Sequence, residues 1–329
     1  MAVAVPSGPG GAGKYSFTSR CVGWFAGHTL RPMGALLPAN ALGVGVARSA
    51  AHIALPILAP AVNARVHQVH ARWSDRTIHG EWVRASTGRH PGAVVLYLHG
   101  SGYVACSPRT HRGLVARLSE QSGMPAFALR YRLAPRYPFP AAADDALAAY
   151  QWLLSLGYSP GRIVIAGDSA GGHLAIGLCI TLRRMGIPLP AGLALFSPLA
   201  DPTFETAAAR DALHHDPYIA AKLAKRMLAL CTGTGWDSDP RFSPLHSDLA
   251  GLPPTLIQAG GSEALAADAE ALGERINAAG GHAQLEIWAG QMHVFQILYR
   301  LVPEARTALR RAADFLSAQV KDREYFRRL

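Results

Sequence analysis

"RIVIAGDSAGGHLAIGLCI", residues 162 to 180, joins a run of β-forming residues to a helical one with a single serine at the seam. Gly167 and Gly171 bracket Ser169 as G-x-S-x-G, with Asp168 and Ala170 in the variable positions. A chain that turns this abruptly from strand to helix holds the serine in a strained backbone conformation, and only glycine lacks the Cβ that would clash on either side. The hydroxyl then stands above the carboxyl end of the sheet, at a helix N-terminus whose dipole favours negative charge. As a bare string the motif is moderately specific. Its position, where a strand meets a helix, makes a nucleophile the stronger reading and a glycine-rich turn with a bystander serine the weaker one.

Working outward, short apolar segments alternate with helical ones. Strands are expected at 79–85, 93–100, 124–131, 162–168, 191–197, 254–260 and 283–290, and several are continuous apolar runs such as "AVVLYLHG". Runs of that kind suit a parallel sheet covered on both faces. Between them lie patterns such as "PAAADDALAAYQWLLS" (140–155), which opens on proline and repeats apolar residues at helical spacing. The fold class is therefore α/β, a mostly parallel central sheet of about eight strands flanked by helices.

Two stretches break the alternation. Residues 1–65 read as an N-terminal helical lid whose first 14 or so residues, rich in Gly and Pro, are expected to be disordered. Residues 203–250 read as a second lid insertion, helices followed by the Gly, Asp and Pro-rich "TGTGWDSDPRFSPLHSD". The catalytic core is then 66–202 and 251–329, closing with a helix over 294–319 and a charged tail, "KDREYFRRL", expected to fray.

Composition sets bounds. The 329 residues are half hydrophobic, enough for one large globular unit with a lid. The net charge of +10 is carried mostly by arginines scattered along the chain, which fits an Arg-rich surface better than a nucleic-acid groove. Cys21, Cys106, Cys179 and Cys231 show no C-x-x-C spacing and are expected as free thiols in a reducing compartment, with Cys179 on a buried helix face. The N-terminus lacks the charged and apolar regions of a secretory signal, so a cytoplasmic location is expected. Residues 33–64 are strongly apolar, but Arg48 splits them and Pro38, Pro56 and Pro60 interrupt the pieces, none of which reaches the ~20 residues of a spanning helix. A weak contact of the lid with membrane surfaces stays open, and so does a homodimer. No metal or cofactor is implied: there is no His and Cys cluster with ligand spacing, and "GPGGAG" (8–13) precedes any strand.

A serine hydroxyl needs a base, and the base an orienting acid. Of 14 histidines, His293 in "AGQMHVFQ" lies just past the last strand, at the sheet edge that carries Ser169. His173 sits on the elbow helix and is expected to pack there; His214, His215 and His282 have no comparable placement. For the acid, Glu263 is the first carboxylate after "PTLIQAG", and Asp268 is its rival, readable instead as a charge at the start of the next helix. The order Ser, acid, His suits this architecture. An oxyanion needs backbone donors, and the N–H groups of Ala170, Ser101 and Gly102 are the candidates, the last two in "YLHGSGYV" (97–104). His99, at the end of a strand, is expected to orient that loop.

These motifs together resemble the hormone-sensitive-lipase-like branch of the α/β-hydrolases, which includes bacterial carboxylesterases. "HGSGY", "YRLAPRYPFPAAADDA" (131–146), "GDSAGG", "GLPPTLIQAG" and "HVF" follow that family's order over roughly residues 75–300. The resemblance implies an α/β-hydrolase fold, a lid built from the N-terminal segment and an insertion before the acid-bearing strand, and cofactor-free hydrolysis of short- to medium-chain esters. Three departures stand out. Ser101 replaces a glycine of the usual H-G-G-G, placing a side chain near the leaving alcohol. Glu263-Ala264-Leu265 stands where Asp-Pro-Leu is common. Arg136 follows "YRLAP" where Glu is usual, removing an expected ion pair. Other acyl-transfer substrates, namely lactones, amides or acylated natural products, share the same chemistry, and a binding receptor of this fold is the non-catalytic alternative. Trp24, Phe25, Leu36 and Leu37 fit either an apolar substrate group or a lid packed on its own core.

Overall fold

The computed structural model describes residues 15–61, 63–85, 88–232, 236 and 239–320; the expected disorder of the first 14 residues and fraying of the tail lie outside these. Three helices come first, α1 (Phe17–Phe25), α2 (Arg31–Ala35) and α3 (Ala41–Leu58), with a π-helical turn, Ala26–Leu30, joining α1 to α2. The strands are β1 (Ala64–Trp73), β2 (Arg76–Ala85), β3 (Val94–Leu98), β4 (Ala126–Leu129), β5 (Ile163–Asp168), β6 (Gly192–Phe196), β7 (Thr255–Gly260) and β8 (Ala283–Trp288). The later helices are α4 (Pro108–Ser122), α5 (Ala141–Ser155), α6 (Ala170–Arg184), α7 (Glu205–His214), α8 (Ala221–Leu228), α9 (Ala266–Ala278) and α10 (Pro303–Gln319).

All eight strands form one sheet in the order β1-β2-β4-β3-β5-β6-β7-β8; β2 runs antiparallel to β1 and β4, and the neighbours from β4 to β8 are parallel. The central strands are buried on both faces, as their continuous apolar text requires. Alternate residues of β3 enter two cores: Val94, Leu96 and Leu98 pack with α5, α6 and α9, whereas Val95 and Tyr97 pack with α4 and α10. This is the covered, mostly parallel sheet expected from the sequence, and its parallel strands all point their carboxyl ends at the edge where Ser169 turns.

Three local expectations differ from the structure. Strand β1 was not among the seven expected. Its text, "ARVHQVHARW", exposes Arg65, His67, His70 and Arg72 at the sheet edge, and its burial loses phase at His67-Gln68 although the ladder to β2 is unbroken. Pro56 does not interrupt α3 but lies within its last turn, so the helix runs for 18 residues and is long and apolar enough, by length and composition alone, to cross a membrane. Arg48 is accommodated because it turns inward, donating to the carbonyls of Val104 (2.7 Å) and Ala134 (2.8 Å). Finally, 294–319 is a short 3-10 turn (Phe295–Leu298) and then α10, parted where Pro303 starts a new helix.

The apolar residues of the N-terminal helices do not all pack inward. Trp24, Phe25 and Leu36 are exposed, and Leu42, Val46, Ile53 and Ile57 line one solvent-facing side of α3 at helical spacing while Val44 is buried opposite. Arg136 is likewise exposed, its guanidinium 5.2 Å from the Tyr137 ring centroid. All four cysteines are free; Cys179 is buried on α6.

Candidate active site

Ser169 sits between β5 and α6 with φ 51° and ψ −120°, a conformation few side chains adopt. Main-chain bonds pin it: its N–H donates to Phe196 O (2.8 Å), and its carbonyl accepts from His173 N (3.1 Å) and Leu199 N (3.2 Å). The flanking glycines are required by contact. A Cβ on Gly171 would stand 2.0 Å from Leu98 O and one on Gly167 would stand 2.6 Å from Gly171 O, so the first turn of α6 seats directly on the end of β3.

The loop after β8 carries His293 to this serine. Val294 takes a left-handed conformation (φ 50°), and its N–H donates to Ser197 Oγ (3.0 Å), tying the loop to the end of β6. His293 Nε2 then lies 3.0 Å from Ser169 Oγ, and Nδ1 lies 2.9 Å from Glu263 Oε2. Glu263 is fully buried, and its other oxygen accepts the N–H of Gly260 (3.0 Å). These contacts assign a tautomer: Nδ1–H donates to the carboxylate and bare Nε2 faces the hydroxyl. Burial alone would depress the His293 pKa, but the hydrogen bond and charge of Glu263, with the charges of Asp216 and Asp168, leave it above the ordinary histidine value.

Asp268, the rival acid, is placed elsewhere. It lies in the first turn of α9 and accepts the N–H groups of Ala200 and Asp201 on one oxygen (2.8 Å each) and the Thr206 hydroxyl on the other (3.2 Å). It anchors the chain leaving β6, and burial pushes its pKa up to about 6.

The loop after β3 passes three consecutive residues through positive φ: Ser101 (90°), Gly102 (61°) and Tyr103 (63°). The N–H groups of Ser101 and Gly102 are taken by no described residue, and Ala170 opens α6, so its N–H has no intrahelical acceptor. The Ser101 hydroxyl donates to Ala105 O. Asp168 pins the loop from beneath: its Oδ1 accepts from Gly100 N (3.1 Å) and Tyr97 Oη (2.6 Å), and its Oδ2 lies 3.3 Å from His111 Nε2. His99 is buried and stacked on Tyr131 at 4.3 Å, with Nδ1 3.1 Å from Gly100 O, and burial depresses its pKa to about 3. The ring thus contacts this loop at Gly100, whereas the group set against Ser169 Oγ is His293. His173 is also buried, with Tyr103 Oη at Nδ1 (2.6 Å) and Phe242 O at Nε2 (3.0 Å).

Sequence reasoning passed over three side chains now seen at the site. Asp168 occupies a variable position of the motif, and only the spatial approach of β3 reveals what it holds. Arg210 and Asp216 belong to an insertion with no motif, yet both reach the Glu263 loop, at 3.0 Å and 2.9 Å.

Comparison with known proteins agrees with this fold. A model of the alpha/beta hydrolase fold matches residues 95–297. An acetyl-hydrolase of Streptomyces hygroscopicus is 43% identical over 244 residues, 72% of this chain and 78% of that protein. Esterase LipU of Mycobacterium tuberculosis is 34% identical over 290 residues, 86% of this chain and 96% of its own length. The crystal structure of an esterase from the bacterial hormone-sensitive lipase family superposes with a TM-score of 0.84 at 35% identity, covering 94% of this chain and all of the other. The chain thus belongs to the α/β-hydrolase fold family, within its hormone-sensitive-lipase-like branch of bacterial esterases.

Proposed function

We propose that the protein is a serine carboxylesterase that hydrolyses short- to medium-chain acyl esters through an acyl-enzyme intermediate. One observation carries the reading, the continuous relay from Ser169 Oγ through His293 to Glu263, with contacts of 3.0 Å and 2.9 Å. His293 Nε2 takes the hydroxyl proton as Oγ attacks the ester carbonyl, and Glu263 stabilises the imidazolium that forms. The tetrahedral oxyanion takes its hydrogen bonds from the N–H groups of Ala170, Ser101 and Gly102, which strengthen as charge develops. Collapse expels the alcohol, protonated by His293; water, deprotonated by the same ring, then attacks the acyl-enzyme, and as the acyl–Oγ bond breaks to release the acid His293 returns that proton to Ser169 Oγ. The acetyl-hydrolase among the relatives supports a short acyl group.

Ser169→Ala tests the reading. The variant is expected to fold, to lose turnover of p-nitrophenyl acetate and butyrate, and to lose the stoichiometric fluorophosphonate labelling that the native protein shows. Turnover unchanged in the variant sinks the proposal. Native protein that resists labelling would point instead to a binding receptor, because an unactivated serine reacts poorly.

A further inference from the structure

The insertion between β6 and β7 grips the acid loop by its main chain. Arg210, on α7, donates from Nε to the carbonyl of Glu263 (3.0 Å) and from Nη2 to that of Gly261 (2.9 Å). Asp216, just past α7, accepts the N–H of Ala264 on Oδ2 (2.9 Å). The carbonyl of Glu263 and the N–H of Ala264 belong to one planar amide, so this plane is held at both its oxygen and its hydrogen and cannot rotate without breaking a bond. Asp216 is itself buried, its Oδ1 filled by the N–H groups of Tyr218 (2.8 Å) and Ile219 (3.0 Å). The same segment is tied to the N-terminal helices. Arg31, at the start of α2, forms a two-pronged pair with Asp211 (2.8 and 3.2 Å) and donates to the carbonyl of Asp216, while Asp211 accepts the N–H of Asp216 (2.8 Å).

We propose that Arg210 and Asp216 are positioning residues, a clamp supplied by the insertion that aims Glu263 at His293. The proposal rests on the relay reading above. Among the carboxylates of the described residues, Glu263 alone contacts the ring; the charges of Asp216 and Asp168 add to its effect in raising the His293 pKa, while burial raises that of Asp216 itself. Arg31 and Asp211 are the charged groups tied to Asp216, from α2 and α7. Each carboxylate favours the protonated ring, so removing one lowers the pH at which the base becomes free.

The test measures kcat and KM for p-nitrophenyl acetate from about pH 5 to 9 in native protein, Asp216→Asn and Arg210→Gln. In Asp216→Asn the acidic limb of kcat/KM is expected to move to lower pH. In both variants kcat is expected to fall about tenfold with KM little changed, as a misaimed acid costs rate more than binding. Arg210→Gln should leave the limb in place or raise it, because it removes a positive charge. In a Glu263→Gln background Arg210→Gln should cost nothing further, there being no carboxylate left to aim. A kcat unchanged in both single variants, or the full Arg210→Gln effect persisting in that background, overturns the clamp. If Asp216→Asn does not fold, the Arg210 and Glu263 cycle decides alone. Turnover surviving in Ser169→Ala would instead sink the relay reading itself, so the two failures are told apart.

Discussion

Replacing Glu263 by glutamine changes one oxygen to an NH2 and almost nothing else, in a side chain with no exposure, so its effect follows from the hydrogen bonds. Both partners of the carboxylate are donors: Gly260 N–H at 3.0 Å and His293 Nδ1–H at 2.9 Å. An amide can accept from only one of them. If its oxygen stays on Gly260, its NH2 faces Nδ1, the ring must switch tautomer, and Nε2 then carries a hydrogen where it must take one from Ser169. If the amide flips, the ring keeps its tautomer but two donors are buried face to face at Gly260, at about 1–3 kcal/mol. The competent arrangement is then roughly a 10⁻¹ to 10⁻² minority. Loss of the carboxylate charge, worth about one to three pKa units on a neighbouring ring, lowers basicity as well. Together these predict a fall in kcat/KM of about 10³-fold, within 10² to 10⁴, near the effect of the comparable Asp→Asn change in the serine-protease triad. The assay is p-nitrophenyl acetate hydrolysis on the plateau of the native protein's pH profile, with Ser169→Ala as the zero and a thermal melt to show that the fold persists. Activity within fivefold of native would refute the reasoning.

Asp268→Asn should separate the rival carboxylate cleanly. Asparagine can keep all three contacts, its oxygen accepting from Ala200 and Asp201 and its NH2 donating to Thr206 Oγ1, so kcat/KM is expected to stay within about threefold of native; a loss as large as that of Glu263→Gln would reassign the acid. The same variant tests a pH linkage: with a folded pKa of about 6, above its unfolded value, Asp268 binds more proton in the native state, so its contribution to stability declines as pH rises from about 4 to 6. Urea midpoints across that window should decline less in the variant, and identical profiles would contradict the linkage. Gly171→Ala places a Cβ 2.0 Å from Leu98 O and 2.7 Å from His99 O, backbone atoms that cannot step aside, and should destabilise by about 3 kcal/mol or more, read as a lowered denaturation midpoint or loss of soluble protein. A variant as stable as native would mean that the elbow is not seated on β3 as described.

The sequence by itself determined the fold class, the elbow and the candidate base, because each is dictated by local constraints. A strand buried on both faces must be continuously apolar, and a turn whose neighbours lie within 3 Å must be glycine, so both appear in the residue types at the positions concerned. His293 was legible because it follows the last strand, and in a parallel sheet every strand ends at the same edge. What tertiary structure alone decided concerns groups whose meaning depends on a distant partner. Glu263 and Asp268 are both carboxylates just past β7 and differ in what the packing sets before them, His293 for one and the Ala200-Asp201 backbone for the other. Strand β1 escaped notice because an edge strand need bury only part of its surface. Arg48 inside α3 reads as a break until the carbonyls of Val104 and Ala134 are seen waiting for it. Arg210 and Asp216 stand about 50 residues before the amide they hold, and no local pattern marks them, since a hydrogen bond across that span constrains geometry in space and leaves the spacing along the chain free.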